Sequence, residues 1–180
     1  EDKKIVLTEG DSFRLDSQLD SNLGDQKAVF IAAELLADID QNDILLLDDG
    51  RLTLKVIEKT NHAVQCQVLQ GGVLSSKKGV NKFGGGLSAD ALTDKDRADI
   101  KTAAALNTDY LAISFVRSKE DVELTRQLLT DAGSNAHIIA KIERAEAITE
   151  EFLPGIIESA DGIMVARGDL GVEIGDANLV

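Results

Sequence analysis

The sequence predicts an α/β protein in two parts, a small all-β domain over residues 1–86 and part of a parallel β/α barrel over residues 87–180. Short apolar runs separated by polar turns fill the first part, and this pattern indicates antiparallel strands. In the second part, helical segments alternate with strands that start about 25 to 30 residues apart, which is the repeat of β/α units. The glycine-rich stretch Lys77–Gly86 separates the two patterns and marks the predicted boundary.

The strands of the first part follow from its apolar runs, which are Ile5–Leu7, Ala28–Ala32, Asp43–Leu47 and Leu52–Ile57. Asp48–Arg51 joins two of these runs as a hairpin turn, because Asp and Gly tolerate the positive φ angles of such turns. We expect Thr60–His62 to close the next hairpin. Beyond it, Val64, Cys66 and Val68 alternate with other residues, so they should share the core face of one strand.

The second part carries helix-start signals between its predicted strands. Thr93–Asp96 has capping-box spacing before an alanine-rich helix, and Ser118–Asp121 repeats the signal before a helix over Val122–Ala132. The strands are expected at Tyr110–Phe115, His137–Ile142 and Gly162–Ala166. Because a complete eight-unit barrel needs about 250 residues, only about three units are expected here.

Composition argues against several classes of protein. The 19 basic and 32 acidic residues give a formal net charge of -13, which disfavours nonspecific binding to nucleic acid and means that phosphate chemistry would need a metal ion. No apolar run approaches the roughly 18 residues of a membrane span, and Glu1–Lys4 lacks the apolar character of a signal peptide. The single cysteine, Cys66, cannot form an internal disulfide. We therefore expect a cytoplasmic protein with no membrane contact.

Charged residues lie at the ends of the last two predicted strands. Lys141 and Glu143 are two residues apart, so their side chains should share a face at the edge where β/α enzymes place their sites. Asp169 follows the next strand, and neighbouring strands lie roughly 5 Å apart, so its carboxylate can meet that of Glu143. Two such oxygen ligands suit Mg²⁺ or Mn²⁺. Glycines flank Asp169, so the backbone N–H groups of Gly168 and Asp169 can approach a substrate carboxylate.

Each of these residues also has an ordinary structural explanation. Lys141 and Glu143 could form a strand-end ion pair, and Asp169 could cap a turn. The coincidence of a lysine, two acids and a glycine-rich turn at corresponding ends of consecutive strands favours a functional site. The tripeptide Arg167–Asp169 directly follows an apolar strand, and this position explains it better than a role in cell adhesion.

Several spaced segments resemble those of pyruvate kinases. Ile138–Glu143 is similar to the family's signature around its active-site lysine, and Ser159–Glu173 is similar to the segment that follows it. Further similar segments are Asp48–Gly50, Lys77–Asn81 and Ala112–Arg117. The resemblance covers nearly the whole chain. Within the family, the chain resembles a bacterial subset, the second isozyme type, because Asn81–Leu87 lacks the proline that most members carry there.

The resemblance implies a glycolytic phosphotransferase that acts between phosphoenolpyruvate and ADP and yields pyruvate and ATP. Lys141 would contact the phosphoryl group, while Glu143 and Asp169 would hold Mg²⁺ or Mn²⁺. Gly168 and Asp169 would supply backbone contacts to the substrate carboxylate. The family also implies a K⁺ requirement, with ligands outside this chain, and a homotetrameric parent.

The resemblance further implies that the first part is a lid, the B domain, built as a small β-barrel beside the barrel A domain. Lid closure would bring Lys78 and Asp49 to the nucleotide. Ser114 would either line the pocket or be a buried hydroxyl at the strand end. The chain by itself is expected to lack part of the site, to be inactive and to self-associate through residues 87–180.

Two other interpretations stay open at the level of sequence. A metal-dependent lyase acting on pyruvate or oxaloacetate enolates would also place Glu and Asp on successive barrel strands, although it would not explain the lid. A stable folding unit without turnover would need no site at all. A coupled assay of phosphoenolpyruvate-dependent ATP formation separates these possibilities.

Overall fold

The computed structural model describes residues 4–88 and 92–179, so the outer ends of both predicted domains and residues 89–91 lie outside the described residues. The chain divides into two compact units. Unit 1 contains the described residues up to Ser88 together with Val172–Asp176. Unit 2 contains those from Leu92 to Gly171 and the described residues after Asp176.

Unit 1 is built mainly of antiparallel strands. These are β1 Lys4–Leu7, β2 Ser12–Asp16, β3 Ala28–Phe30, β4 Ile44–Leu47, β5 Leu52–Lys59, β6 Ala63–Gln70, β7 Gly72–Ser75 and β8 Val80–Lys82. Six of them form one sheet in the order β3-β2-β6-β5-β4-β8, and β1 pairs with β7. Among the described residues β3 and β8 are the sheet edges, so this sheet is open and does not form the closed small barrel that the resemblance implies.

The unit is not purely β, because β3 ends at Phe30 and helix α1 follows at Ala33–Ala37. Alanine, leucine and glutamate are strong helix formers, and they dominate this segment. The predicted strand Ala28–Ala32 is therefore too long at its carboxyl end.

The predicted hairpins of unit 1 are confirmed. Asp48, Asp49 and Gly50 connect β4 to β5 with φ angles of 51°, 56° and 78°. The N–H of Thr60 donates to the Ala63 carbonyl at 2.8 Å and closes the turn between β5 and β6. The alternation on β6 is confirmed as well, since Cys66 lies buried in the core, where burial raises the pKa of its thiol to about 12.

Unit 2 contains three parallel strands and the helices that precede, connect and follow them, and the last helix ends with residues of unit 1. The elements are α2 Asp94–Ala105, β9 Tyr110–Ile113, α3 Lys119–Asp131, β10 His137–Ile142, α4 Leu153–Ser159, β11 Gly162–Val165 and α5 Arg167–Ile174. The strands lie in the order β9-β10-β11, which confirms the predicted β/α repeat and α/β class. None of the helices in the described ranges is long and apolar enough to cross a membrane.

The two predicted capping boxes have different outcomes. Thr93 and Asp96 form a complete one at the start of α2. Ser118 precedes α3 but makes no capping hydrogen bond, so the second prediction is wrong. The carboxylate of Asp121 instead accepts the N–H of Arg117 at 2.9 Å and lies 3.5 Å from its guanidinium.

Strand β9 stops two residues earlier than predicted. Phe115 has a φ of 57°, in the left-handed region that an extended strand cannot contain. Ser114 and Phe115 therefore lie in a turn beyond the strand, at its carboxyl end.

Candidate active site

An ion pair between a partly exposed lysine and a buried carboxylate lies at the carboxyl end of β10. Lys141 is on the strand and Glu143 directly follows its last residue, and Lys141 Nζ lies 2.5 Å from Glu143 Oε1. The Glu143 side chain is 1% exposed, whereas that of Lys141 is 26% exposed. Lys141 Nζ also donates to Ser114 Oγ at 3.1 Å. An ammonium has three donors, so these two partners among the described residues leave one N–H for a substrate oxygen.

The second oxygen of Glu143 is held by the backbone of the neighbouring strand end. Glu143 Oε2 accepts the N–H of Phe115 at 2.7 Å. The left-handed conformation of Phe115 costs about 1–2 kcal/mol in a residue other than glycine, and such strain is concentrated at functional sites. Sequence reasoning missed this donor, because nothing in the local sequence marks a phenylalanine for positive φ.

Gly168 and Asp169 lie in the first turn of α5, beside the end of the next strand. Strand β11 pairs with β10 in parallel, with Ile142 opposite Val165, so Glu143 and the start of α5 are at the same edge of the sheet. The first turn of a helix directs N–H groups outward and favours anions. A side-chain carbon at Gly168 would meet nothing within 4 Å, so the space beside this amide is open.

The two acids at this edge have oxygen atoms of the kind that Mg²⁺ takes as ligands. Each oxygen of Glu143 accepts one hydrogen bond or ion pair and retains a further lone pair. Asp169 is exposed in its turn. Mg²⁺ in proteins commonly takes one or two carboxylates plus water and substrate oxygens. Residues 4–88 and 92–179 contain no cluster of three or more His, Cys, Asp or Glu residues that could hold a metal, so a closed protein cage is not formed there.

In unit 1 the structure pairs Lys78 with Asp48. Lys78 Nζ lies 2.8 Å from Asp48 Oδ1, and the guanidinium of Arg51 lies 3.7 Å from the other oxygen of the same acid. Asp48 is buried, while its neighbour Asp49 is exposed in the hairpin turn. The sequence prediction named Lys78 and Asp49, and it missed the buried acid that holds the lysine.

A buried arginine next to the site was also missed. Arg144 directly follows Glu143 and is 5% exposed. Its Nε lies 3.3 Å from Glu146 Oε2, and one terminal nitrogen donates to Glu146 Oε1 at 3.3 Å. This ion pair lies in the turn after β10, which also contains Glu143. The spacing of the two residues allowed the pair, but burial of the arginine could not be predicted from local sequence.

The whole chain matches the family model described as pyruvate kinase, barrel domain, over residues 1–180. It is 55% identical over 177 residues to the pyruvate kinase of Buchnera aphidicola subsp. Acyrthosiphon pisum, covering 97% of this chain and 37% of that relative. It is 54% identical over 179 residues to pyruvate kinase II of Salmonella typhimurium, covering 98% and 37%. With the pyruvate kinase of Haemophilus influenzae the identity is 53% over 181 residues, covering 99% and 38%. The chain thus spans less than two fifths of the length of these relatives.

Proposed function

This chain belongs to the pyruvate kinase family, and we propose that the full-length protein transfers a phosphoryl group between phosphoenolpyruvate and ADP, giving pyruvate and ATP. The observation that carries the proposal is the group of Lys141, Glu143 and Ser114, in which a partly exposed ammonium is held beside a buried carboxylate. Phosphoryl transfer depends on positioning and charge neutralisation more than on covalent chemistry. The enolate lyase is not favoured, because the matched relatives are pyruvate kinases.

In this proposal Lys141 donates to a phosphoryl oxygen and stabilises the negative charge during transfer. Ser114 and Glu143 hold the ammonium in place, so little reorganisation is needed at the moment of reaction. The N–H groups of Gly168 and Asp169 bind the substrate carboxylate at the start of α5, where the helix dipole favours an anion.

Glu143 and Asp169 are the residues that would hold Mg²⁺ or Mn²⁺ in this proposal. When bound, such an ion neutralises charge on phosphoryl oxygens. The chain has a net charge of -13, so a cation at this edge would also offset repulsion of the anionic substrates. The K⁺ that the family implies would be bound by residues outside this chain.

We further propose that residues 1–86 form the lid, or B domain, and that residues 87–180 are three of the eight β/α units of the barrel A domain. Lys78 and Asp49 would approach the nucleotide as the lid closes and excludes water. The ion pair with Asp48 supports this role for Lys78, because it holds the lysine beside the hairpin turn. The full-length protein is proposed to be a cytoplasmic homotetramer.

A coupled assay of ATP formation from phosphoenolpyruvate and ADP tests the proposal on the full-length protein and on this chain. We expect magnesium-dependent turnover by the full-length protein and negligible turnover by the chain, which has only part of the barrel. Absence of ATP formation by the full-length protein, or cleavage of an enolate substrate instead, would refute the proposed reaction. Turnover by the chain at the full-length rate would refute the view that its site is incomplete.

A further inference from the structure

Two consecutive residues beyond strand β9 bind the two charged groups of the candidate site. Ser114 Oγ accepts a hydrogen bond from Lys141 Nζ at 3.1 Å. The backbone N–H of the next residue, Phe115, donates to Glu143 Oε2 at 2.7 Å, while Glu143 Oε1 pairs with the same ammonium. All four residues belong to unit 2, so this arrangement is internal to one compact unit.

Phe115 has an unusual backbone conformation for its residue type. Its φ of 57° lies in the left-handed region, where the Cβ of a bulky residue crowds the backbone. The other non-glycine residues with positive φ in the described ranges are two asparagines, two aspartates and one lysine. Asn and Asp are the types that tolerate this region, whereas a phenylalanine there needs a compensating contact.

The hydrogen bond to Glu143 supplies that contact better than the aromatic ring does. Phe115 is 48% exposed in this chain, so its ring is incompletely packed. The Glu143 side chain is 1% exposed, and a hydrogen bond to a carboxylate is roughly twice as strong as one between neutral groups. A buried carboxylate oxygen that lost this donor would not be compensated by water. The hydrogen bond therefore stabilises the left-handed turn, and the turn aims the N–H at the carboxylate.

We infer that Phe115 is a positioning residue for the phosphoryl transfer and acts through its backbone, an inference that rests on the proposed function. Its N–H fixes Oε2 of Glu143, so Oε1 is the oxygen that pairs with Lys141. The preceding residue, Ser114, binds the same ammonium. If Phe115 returned to an ordinary negative φ, its N–H would point elsewhere, and Glu143 and Lys141 would lose their fixed positions.

The test separates the backbone of Phe115 from its ring. Phe115→Gly and Phe115→Asn remove the ring but adopt positive φ readily. Phe115→Val keeps an apolar side chain, but a β-branched residue resists positive φ. Asn107→Val is the matched control, because Asn107 has a φ of 52° in the exposed turn before β9, at the opposite end of that strand.

Steady-state kinetics of the full-length protein give the first measurement. We expect Phe115→Val to lower kcat at least about tenfold, because a misplacement of about 1 Å in a catalytic group can cost about 10²-fold. The KM for ADP should change little. Phe115→Gly and Phe115→Asn should stay within about threefold of the parental kcat, less than displacement of the ammonium would cost. Asn107→Val should lower Tm and leave kcat unchanged.

Hydrogen exchange of the residue 115 amide, followed by NMR in this chain without substrate, gives a measurement that needs no turnover. This amide should be protected in the parent and in the Gly and Asn variants at this position. Its exchange should accelerate at least about tenfold in Phe115→Val, because local opening exposes the amide to solvent. Glu143→Ala removes the acceptor and should accelerate it as well, which assigns the protection to the carboxylate.

A parental kcat for Phe115→Val would overturn the inference, and so would equal losses in the Gly, Asn and Val variants, because they would assign the effect to the ring. If Phe115→Val does not fold, the other two variants decide. A parental kcat with a protected amide supports the inference, and a tenfold fall overturns it. If the parent forms no ATP from phosphoenolpyruvate, the proposed function fails, while amide exchange still decides whether Phe115 holds Glu143.

Discussion

Replacing Lys141 with methionine tests the central ion pair, because it removes the ammonium and keeps most of the aliphatic volume. Glu143, whose side chain is 1% exposed, would then retain only the Phe115 N–H as partner among its described contacts. Removing one partner of a buried pair costs about 3–5 kcal/mol, whereas an exposed pair contributes about 0–1 kcal/mol. Since Lys141 is itself 26% exposed, we expect a loss of unfolding free energy near the lower end, about 3 kcal/mol.

Urea unfolding of this chain with EDTA present measures the effect, because a bound divalent ion would otherwise replace the lost charge. Adding Glu143→Gln to Lys141→Met should recover most of the stability, since no uncompensated carboxylate remains. Lys95→Met is the matched control, because Lys95 pairs with Asp99 on the surface of α2. It should change the free energy of unfolding little.

A loss below about 1 kcal/mol for Lys141→Met, or a double variant no more stable than the single one, would refute this account of the pair. In the full-length protein the same substitution should lower the rate of phosphoryl transfer by a factor of about 10² to 10³ and leave Mn²⁺ binding measurable. Retention of more than about a tenth of the rate would exclude Lys141 from the mechanism.

Three further predictions concern helix caps, pH and association. Thr93→Ala should lower the free energy of unfolding in urea by about 1 kcal/mol, because it removes a cap bond. Ser118→Ala removes no cap bond and should change this free energy little, so equal losses would contradict the cap assignment. The backbone N–H of Ile138 donates to Asp161 and holds the pKa of this carboxyl below its ordinary 3.8. The stability that the ionised Asp161 contributes is therefore present above pH 3.8 and is lost as pH falls through the folded pKa. Asp161→Asn should therefore lower the urea midpoint at pH 7, and this difference should shrink in acid. Each of the three apolar residues of edge strand β11 is more than a third exposed, so the chain should self-associate through residues 87–180. A monomer by light scattering at micromolar protein concentration would contradict this.

Local sequence patterns predicted the elements that depend on residues close together in the sequence. The Asp48–Gly50 turn, the buried alternation around Cys66 and the Thr93 capping box depend on residues a few positions apart. Prediction failed at Ser118, where the acid of the predicted box has a different local partner. The same capping spacing at Ser118 gave no cap bond, and the carboxylate of Asp121 accepts the N–H of Arg117.

For the candidate site, sequence patterns were enough to predict that Lys141 and Glu143 lie on one face at a strand end and that a glycine-flanked acid follows the next strand. The period of two along a strand and the β/α repeat are sufficient for that. The folded chain was needed to show that the N–H of Phe115 donates to Glu143 and that Asp48 pairs with Lys78. It was also needed to show that Glu173 binds Asn81, 92 residues away. The physical reason is that periodicity specifies which face a side chain occupies, whereas its partner on that face depends on how distant segments pack.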